Sequence, residues 1–307
     1  MQHRTEVREM SNRPLLSVII PLYNESQIIG RLLNSLVNVL DQELDNAYEI
    51  IVIDDGSTDD SAVQVEKQTY SQVRICQHPY NMGNGAAVKT GIRAARGAWI
   101  LLMDADGQHR PVNIPRLWAL RDRFDMVVGA RTKGSATAVH RDIANAIYNR
   151  FASYVCGRRI EDLTSGFRLI RTDLAKELVF LLPNTFSYPT TITLAIVRSG
   201  YSLAYVPIAT AKRQGKSKIK LLRDGSRFFM ILFKIATLFS PLKIFVPVSI
   251  FTFLLGVGYG GFKVLFLGTR YGPTSAMLMT IAVVIFLIGL VSEQITYLRY
   301  DDRRGGQ

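Results

Sequence analysis

Along most of the chain, short apolar, β-branched runs alternate with stretches in which apolar residues return every three or four positions, and two long uncharged runs follow. Leu15 to Ile20 reads as a buried parallel strand closed by Pro21, whose ring removes a ladder donor. Ile28, Ile29, Leu32, Leu33, Leu36, Val37 and Leu40 then keep helical spacing, with Ser26 placed to cap that helix. Further strands are expected at Tyr48 to Ile53, Val73 to Gln77, Trp99 to Met103, Asp125 to Gly129, Leu169 to Ile170 and Tyr201 to Pro207. Between them lie helices near Ser61 to Tyr70, Ala86 to Arg96, Ile114 to Arg123, Ile143 to Val155, Asp173 to Leu182 and Thr190 to Ser199. This alternation predicts an α/β fold, a mostly parallel sheet with helices on both faces.

Ligands of such sheets bind beyond the carboxyl ends of the strands, and several polar turns fall on that rim. Pro21-Leu22-Tyr23-Asn24-Glu25 follows the first strand, and Asp54-Asp55-Gly56-Ser57-Thr58-Asp59-Asp60 follows the second. The apolar run Trp99 to Met103 stops at Asp104 and Asp106, separated by Ala105. Side chains two apart on a strand share a face, so extended geometry continued to Asp106 directs both carboxylates at one point. Paired hard oxygens suit Mg²⁺ or Mn²⁺; Gly107 permits a turn, and Gln108 adds a neutral oxygen. Solvated acidic turns show the same D-x-D spacing, so the surroundings decide. Asn81 to Ala87 places glycines, Gly85 among them, at a helix start where backbone N–H groups can approach a phosphate, with Lys89 one turn in. An ordinary glycine turn has the same pattern.

From Ile219 the composition shifts. Ile219 to Ser240 mixes Lys220, Arg223, Arg227 and Lys234 with large apolar residues, as in a helix lying in a membrane interface or docked on the protein's own core. Ile244 to Phe262 and Ser275 to Ser292 are each uncharged for long enough to span a bilayer. The division expected is a flexible tail over 1–14, a catalytic domain over 15–218, amphipathic juxtamembrane helices over 219–243, two transmembrane helices over 244–300 and a tail over 301–307. Basic residues flank the spans, which places the catalytic domain and both termini in the cytoplasm, although Lys263 and Arg270 in the connection weaken that charge bias. Gly256 and Gly260 form a small-x-x-x-small pair beside Gly258 and Gly261, suited either to packing between the spans or to a homo-oligomer.

The formal net charge of +12 points to an anionic partner: nucleic acid, an anionic membrane surface or a phosphorylated substrate. The basic residues cluster near the membrane segments without a nucleic-acid-binding motif, which argues against nucleic acid. Cys76 and Cys156 form no C-x-x-C pair and are too few for a disulfide framework, so a reducing compartment is expected.

Taken in order, SVIIPLYNE, EIIVIDDGSTDD, NMGNGAAVKTG and WILLMDADGQHRP resemble the nucleotide-sugar-binding core of the family 2 glycosyltransferases. The later DLTSGFR and RQGKSK segments are similar to those of the polyprenyl-phosphate branch, which includes dolichyl-phosphate mannose synthase and bacterial undecaprenyl-phosphate sugar transferases. The resemblance spans about residues 15 to 220 and implies an A-type glycosyltransferase fold. It implies that Pro21, Tyr23 and Glu25 line the nucleotide, and that Asp55, with Asp54 beside it, accepts a hydrogen bond from the base. Asp104, Ala105 and Asp106 fall at the donor diphosphate, with Asp104, Asp106 and Gln108 as metal ligands. Arg131 sits where the family's arginine meets phosphates, with Ala130 in place of a serine.

For the acceptor phosphate the resemblance points to Arg141 and Asn145, Asn standing where relatives carry Ser, and to Ser165, Arg168, Arg213, Ser217 and Lys218. Relatives often have one more residue between the arginine and the glycine, which leaves the register of Arg213 open. For Arg168 a structural salt bridge is the alternative, and for Asn145 simple solvation. Asp162 occupies the position of a general base in soluble relatives, but a phosphate acceptor is already ionised near neutral pH, so a positioning role is expected first. The implied reaction is metal-dependent, inverting transfer of a sugar from a nucleotide sugar, UDP-glucose ahead of GDP-mannose, to undecaprenyl or dolichyl phosphate. A glycosyltransferase with a hydroxyl acceptor and an inactive lipid-binding scaffold are the alternatives.

Overall fold

The computed structural model describes residues 13–132, 139–184, 187–210, 233, 236–237 and 240–301. Arg213, Ser217, Lys218 and the segment carrying Lys220, Arg223, Arg227 and Lys234 lie outside the described residues, as do the side chains of Arg141 and Asn145 and both terminal tails. The chain divides into two compact units, Met1–Arg150 with Arg159–Ile219, and Phe151–Arg158 with Lys220–Gln307.

In the first unit, strands β1 (Leu16–Leu22), β2 (Tyr48–Asp54), β3 (Val73–Gln77), β4 (Trp99–Leu102), β5 (Met126–Arg131), β6 (Arg168–Arg171) and β7 (Leu203–Ile208) form one sheet in the order β3-β2-β1-β4-β6-β5-β7. All pairs are parallel except those of β6, which runs antiparallel to both β4 and β5. Its register sets Arg168 opposite Leu102 and Val128, so the residues that precede β6 arrive where β4 ends. The core packs Leu16, Val18, Ile20, Ile50, Val52, Leu101 and Phe167 with the buried face of α1 (Ile29–Leu44), which carries Leu32, Leu33, Leu36, Val37 and Leu40 as its spacing predicted. Shorter helices α2 (Ser61–Glu66), α3 (Asn84–Ala94), α4 (Ile114–Trp118), α6 (Thr172–Leu178) and α7 (Tyr188–Arg198) alternate with the strands, and α5 (Val139–Cys156) belongs to both units.

Three local expectations need correction. β1 does not stop at Pro21 but runs to Leu22, paired Pro21 to Ile53 and Leu22 to Asp54. Its ladder with β4 already ends at Ile19, so the missing proline N–H falls where β1 has only one neighbour. Ser26 does not cap α1, which begins at Ile29 without a side-chain cap; its N–H is instead directed to Asp59 Oδ2 at 3.2 Å. β4 ends at Leu102, where its ladder with β1 ends, and the chain turns through Ala105 to Gly107, whose φ is +73°. A turn, rather than strand alternation, therefore presents Asp104 and Asp106.

The second unit is built on α8 (Leu242–Leu267) and α9 (Pro273–Asp301), of which Leu242–Leu267 and Pro273–Thr296 are long and apolar enough to cross a bilayer. Their outer surfaces leave Leu254, Leu265 and Phe266 in the open. Gly256 and Gly260 face the returning chain: a Cβ on Gly256 would lie 3.0 Å from Met279 Cγ, and one on Gly260 2.7 Å from Tyr271 Cδ2. The small-residue pair thus serves packing within the hairpin, while Gly258 and Gly261 have nothing within 4 Å. Lys243 Nζ donates to the Tyr154 and Val155 carbonyls at 2.9 Å, satisfying helix-end acceptors of α5.

Candidate active site

The rim at the carboxyl ends of β1, β2 and β4 is the crevice where the strand order reverses, the usual ligand position in such sheets. Its first two turns are stitched together. Asn24 takes a left-handed φ of +55°; its N–H donates to Ser57 Oγ at 3.0 Å, and its Oδ1 accepts from Thr58 N–H at 2.8 Å. Glu25 N–H donates to Ser61 Oγ at 2.9 Å. Pro21, Tyr23 and Glu25 are thereby held half-buried along one edge of the crevice.

Asp54 and Asp55 are both buried. Asp54 Oδ1 accepts from Ser57 N–H at 3.0 Å and closes its own turn. Asp55 reaches across to the loop before α3: Oδ1 accepts from Met82 N–H at 2.9 Å and Oδ2 from Gly83 N–H at 2.8 Å. His78 Nδ1 lies 2.8 Å from Asp55 Oδ1, and its Nε2 lies 2.9 Å from Thr90 Oγ1. Asp55 therefore organises the Asn81–Gly83 loop, and His78 and Thr90 are partners that sequence reading did not single out. Gly85 is buried at the start of α3, where Ala86 N–H meets Asn184 O at 3.2 Å. Lys89 Nζ sits 2.5 Å from Asn184 Oδ1, tying the same helix to the segment after α6.

The Asp104–Gln108 turn forms the centre of the rim. Asp104, Asp106 and Gln108 are half-buried around a buried Ala105, and Asp106 Oδ1 accepts from Gln108 N–H at 3.1 Å. A Cβ on Gly166 would overlap Asp104 Oδ2 and lie 3.0 Å from its Cγ, so the absent side chain forms the cradle in which this carboxylate rests. Among the described residues no three His, Cys, Asp or Glu side chains gather around a metal position. Two carboxylates plus an amide oxygen nevertheless fit Mg²⁺ or Mn²⁺, which commonly takes one or two protein carboxylates and completes its shell with substrate phosphates and water. His109, next in the chain, is 5% exposed and stacks on Phe167 at 5.2 Å; burial lowers its pKa to about 4, so it is neutral.

Behind this turn lies the Asp162–Arg168 segment. Asp162 Oδ2 and Oδ1 each receive an Arg131 guanidinium nitrogen at 2.9 Å, and Arg131, Thr164 and Ser165 N–H groups add bonds of 3.1 Å. Burial pushes the Asp162 carboxyl up, but the bonds and charge of Arg131 and the Thr164 amide outweigh it and hold the pKa below the ordinary value. Ser165 is buried, with Oγ donating to Gly129 O at 2.7 Å. The salt bridge considered for Arg168 is absent from the ion pairs of the described residues. Its guanidinium is fully buried and donates instead to Ser165 O, to Pro189 O at 2.9 Å and to Thr193 Oγ1 at 3.0 Å. Asp104, Asp106, Asp162, Ser165 and Arg168 are thus part of one unit, with Arg131 drawn onto Asp162.

The glycosyl transferase family 2 model matches residues 17–179, more than half of the chain, and the GtrB C-terminal hairpin model matches residues 240–298. An undecaprenyl-phosphate 4-deoxy-4-formamido-L-arabinose transferase of Klebsiella pneumoniae is 28% identical over 281 residues, covering 89% of this chain and 84% of that one. A dodecaprenyl-phosphate galacturonate synthase of Rhizobium johnstonii is 26% identical across 98% of this chain and 95% of its own length. A dolichyl-phosphate beta-glucosyltransferase of Dictyostelium discoideum is 31% identical across 53% of this chain and 56% of the relative. Among solved structures, glucosyl-3-phosphoglycerate synthase from Mycobacterium tuberculosis with Mn²⁺ and UDP-glucose shares the fold at a TM-score of 0.56 and 19% identity, over 75% of this chain and 81% of that one. The chain belongs to glycosyl transferase family 2 and ends in a hairpin of the GtrB C-terminal type.

Proposed function

We propose that the protein transfers a sugar from a nucleoside-diphosphate sugar to a polyprenyl phosphate at the cytoplasmic face of a membrane. The observation that carries this reading is the Asp104–Asp106 turn, held in the Gly166 cradle on the ligand rim, in a chain that ends in two bilayer-length apolar helices. The relatives, which act on undecaprenyl, dodecaprenyl and dolichyl phosphates, support the same acceptor class.

Asp104, Asp106 and Gln108 would hold Mg²⁺ or Mn²⁺, which when bound would supply Lewis-acid stabilisation of charge on the departing diphosphate. An oxygen of the lipid phosphate bonds to the anomeric carbon as the bond from that carbon to the diphosphate breaks, and the nucleoside diphosphate leaves with the electron pair, inverting the centre. Pro21, Tyr23 and Glu25 line the nucleotide, and Asp55 acts on the base at least in part through the Asn81–Gly83 loop it holds. The acceptor phosphate brings its own negative charge, so no base is required; Asp162, with its pKa held low by Arg131, acts as a positioning group. UDP-glucose is the preferred donor and GDP-mannose the second, and the catalytic unit and both termini lie in the cytoplasm.

The test is a donor screen with purified full-length protein, undecaprenyl or dolichyl phosphate and added Mg²⁺ or Mn²⁺, with extracted lipid analysed for sugar. Metal-dependent glycolipid from at least one donor, lost in Asp104→Asn, is expected. Failure to form glycolipid with any donor overturns the reading.

A further inference from the structure

Tyr188 opens α7 and is 1% exposed, yet its hydroxyl has no hydrogen-bond partner among the described residues. Buried tyrosine hydroxyls ordinarily reach one. Among the described residues, the Asp104 carboxylate and the Arg168 guanidinium are charged groups whose fields reach this phenol. A guanidinium offers only donors, so of the two Asp104 alone can accept from the hydroxyl.

Contacts on both sides connect these residues. Gly166 makes room for the Asp104 carboxylate, and the neighbouring Ser165 carbonyl accepts from Arg168 Nε at 3.1 Å. The same guanidinium reaches Pro189 O at 2.9 Å, one residue beyond Tyr188, and Thr193 Oγ1 at 3.0 Å on the next turn of α7. The Asp162–Arg168 segment and the first turn of α7 are therefore fastened to each other beside Asp104.

We propose that Tyr188 is a positioning residue for the donor diphosphate site: when the donor and its divalent cation occupy the Asp104–Asp106 turn, the Tyr188 hydroxyl donates to Asp104 and fixes the carboxylate's orientation. This rests on reading that turn as the cation site. Carboxylates that bind cations are themselves commonly hydrogen-bonded, and loss of such an outer partner typically weakens metal affinity or activity by about 10- to 100-fold. Tyr188→Phe removes the hydroxyl and keeps the ring, so the packing of α7 is preserved.

The experiment titrates full-length protein in detergent with Mn²⁺ in the presence of UDP or, separately, GDP, and reads free Mn²⁺ by electron paramagnetic resonance. Wild type binds and Asp104→Asn does not. Tyr188→Phe is expected to bind at least about tenfold more weakly, with a metal-free melting temperature unchanged or higher because an unpartnered buried hydroxyl is gone. Thr193→Val, which removes an acceptor of Arg168 in the same buried layer, lowers the melting temperature but keeps Mn²⁺ affinity. Wild-type affinity in Tyr188→Phe, alongside lost binding in Asp104→Asn, overturns this inference and leaves the cation site standing. Failure of wild type to take up Mn²⁺ with either nucleotide overturns both.

Discussion

Gly166→Ala tests the cradle directly. Gly166 does not take a left-handed φ, so alanine fits its backbone, and the added Cβ has one principal obstacle, the Asp104 carboxylate, with Cγ at 3.0 Å and Oδ1 at 3.3 Å as well as the overlapping Oδ2. Relieving that overlap moves the carboxylate by about an ångström, and a misplacement of that size at a reacting centre costs about 100-fold. At about 1.4 kcal/mol per tenfold this is roughly 2.7 kcal/mol of lost transition-state stabilisation. Folding is expected to suffer little, because alanine also lowers the entropy of the unfolded chain by about 0.4–1 kcal/mol. The assay compares kcat/KM for glycolipid formation, with the donor that wild type turns over, and the thermal midpoint of the same preparations. A folded Gly166→Ala protein within about threefold of wild type, under 0.7 kcal/mol, would refute the view that Gly166 sets the position of Asp104.

Asp162→Asn is expected to lower stability at neutral pH by about 3 kcal/mol, the lower end for a broken buried pair because the Arg131 side chain is 25% exposed. Since the folded Asp162 pKa lies below its ordinary value, this contribution is complete above that value and is lost as pH falls through the folded pKa, so the difference in unfolding free energy between wild type and variant narrows below about pH 4; a pH-independent difference in denaturant unfolding would contradict it. Gly91→Ala places a Cβ 3.2 Å from Ile19 Cγ1 and overlaps Cγ2, so destabilisation of about 1–3 kcal/mol is expected, and the double variant with Ile19→Ala should lose less than the sum of the two single variants; purely additive thermal shifts would argue against the close approach of α3 to β1. In the hairpin, Gly260→Leu collides with the Tyr271 ring while Gly258→Leu meets open space, so only the first should lower the melting temperature in detergent.

Hydrophobic period was enough to locate the main strands and helices because each carries its own burial pattern: the seven positions that set the helical spacing from Ile28 to Leu40 fall on the buried face of α1 or at its start. The reversed pairing of β6 was not legible, since a four-residue strand shows the same pattern whichever way it runs and its partners lie far away in sequence. The acidic residues of the rim were found, but not the divisions among them. Asp55 is occupied by backbone amides at positions 82 and 83, and backbone donors leave no mark on side-chain identity. Arg168 was expected at the acceptor phosphate or in a structural salt bridge, and carbonyl and hydroxyl oxygens surround it instead. Tyr188 carried no signal, because an aromatic residue ahead of a helix reads as ordinary core.

The reversed strand also bears on the order in which the protein becomes competent. β6 is bounded by β4 on one side and β5 on the other, with Trp99 paired to Arg171 across a long loop of chain. Closing such a loop is entropically costly and belongs to the slow part of folding. Until that pairing forms, Asp104 and Asp106 already sit together in the chain, but Gly166 is absent from their side and Asp162 has not gathered Arg131. The pairing of β6 between β4 and β5 is thus what brings Gly166 beside the acidic motif, so the long-range contact that completes the sheet also completes the site.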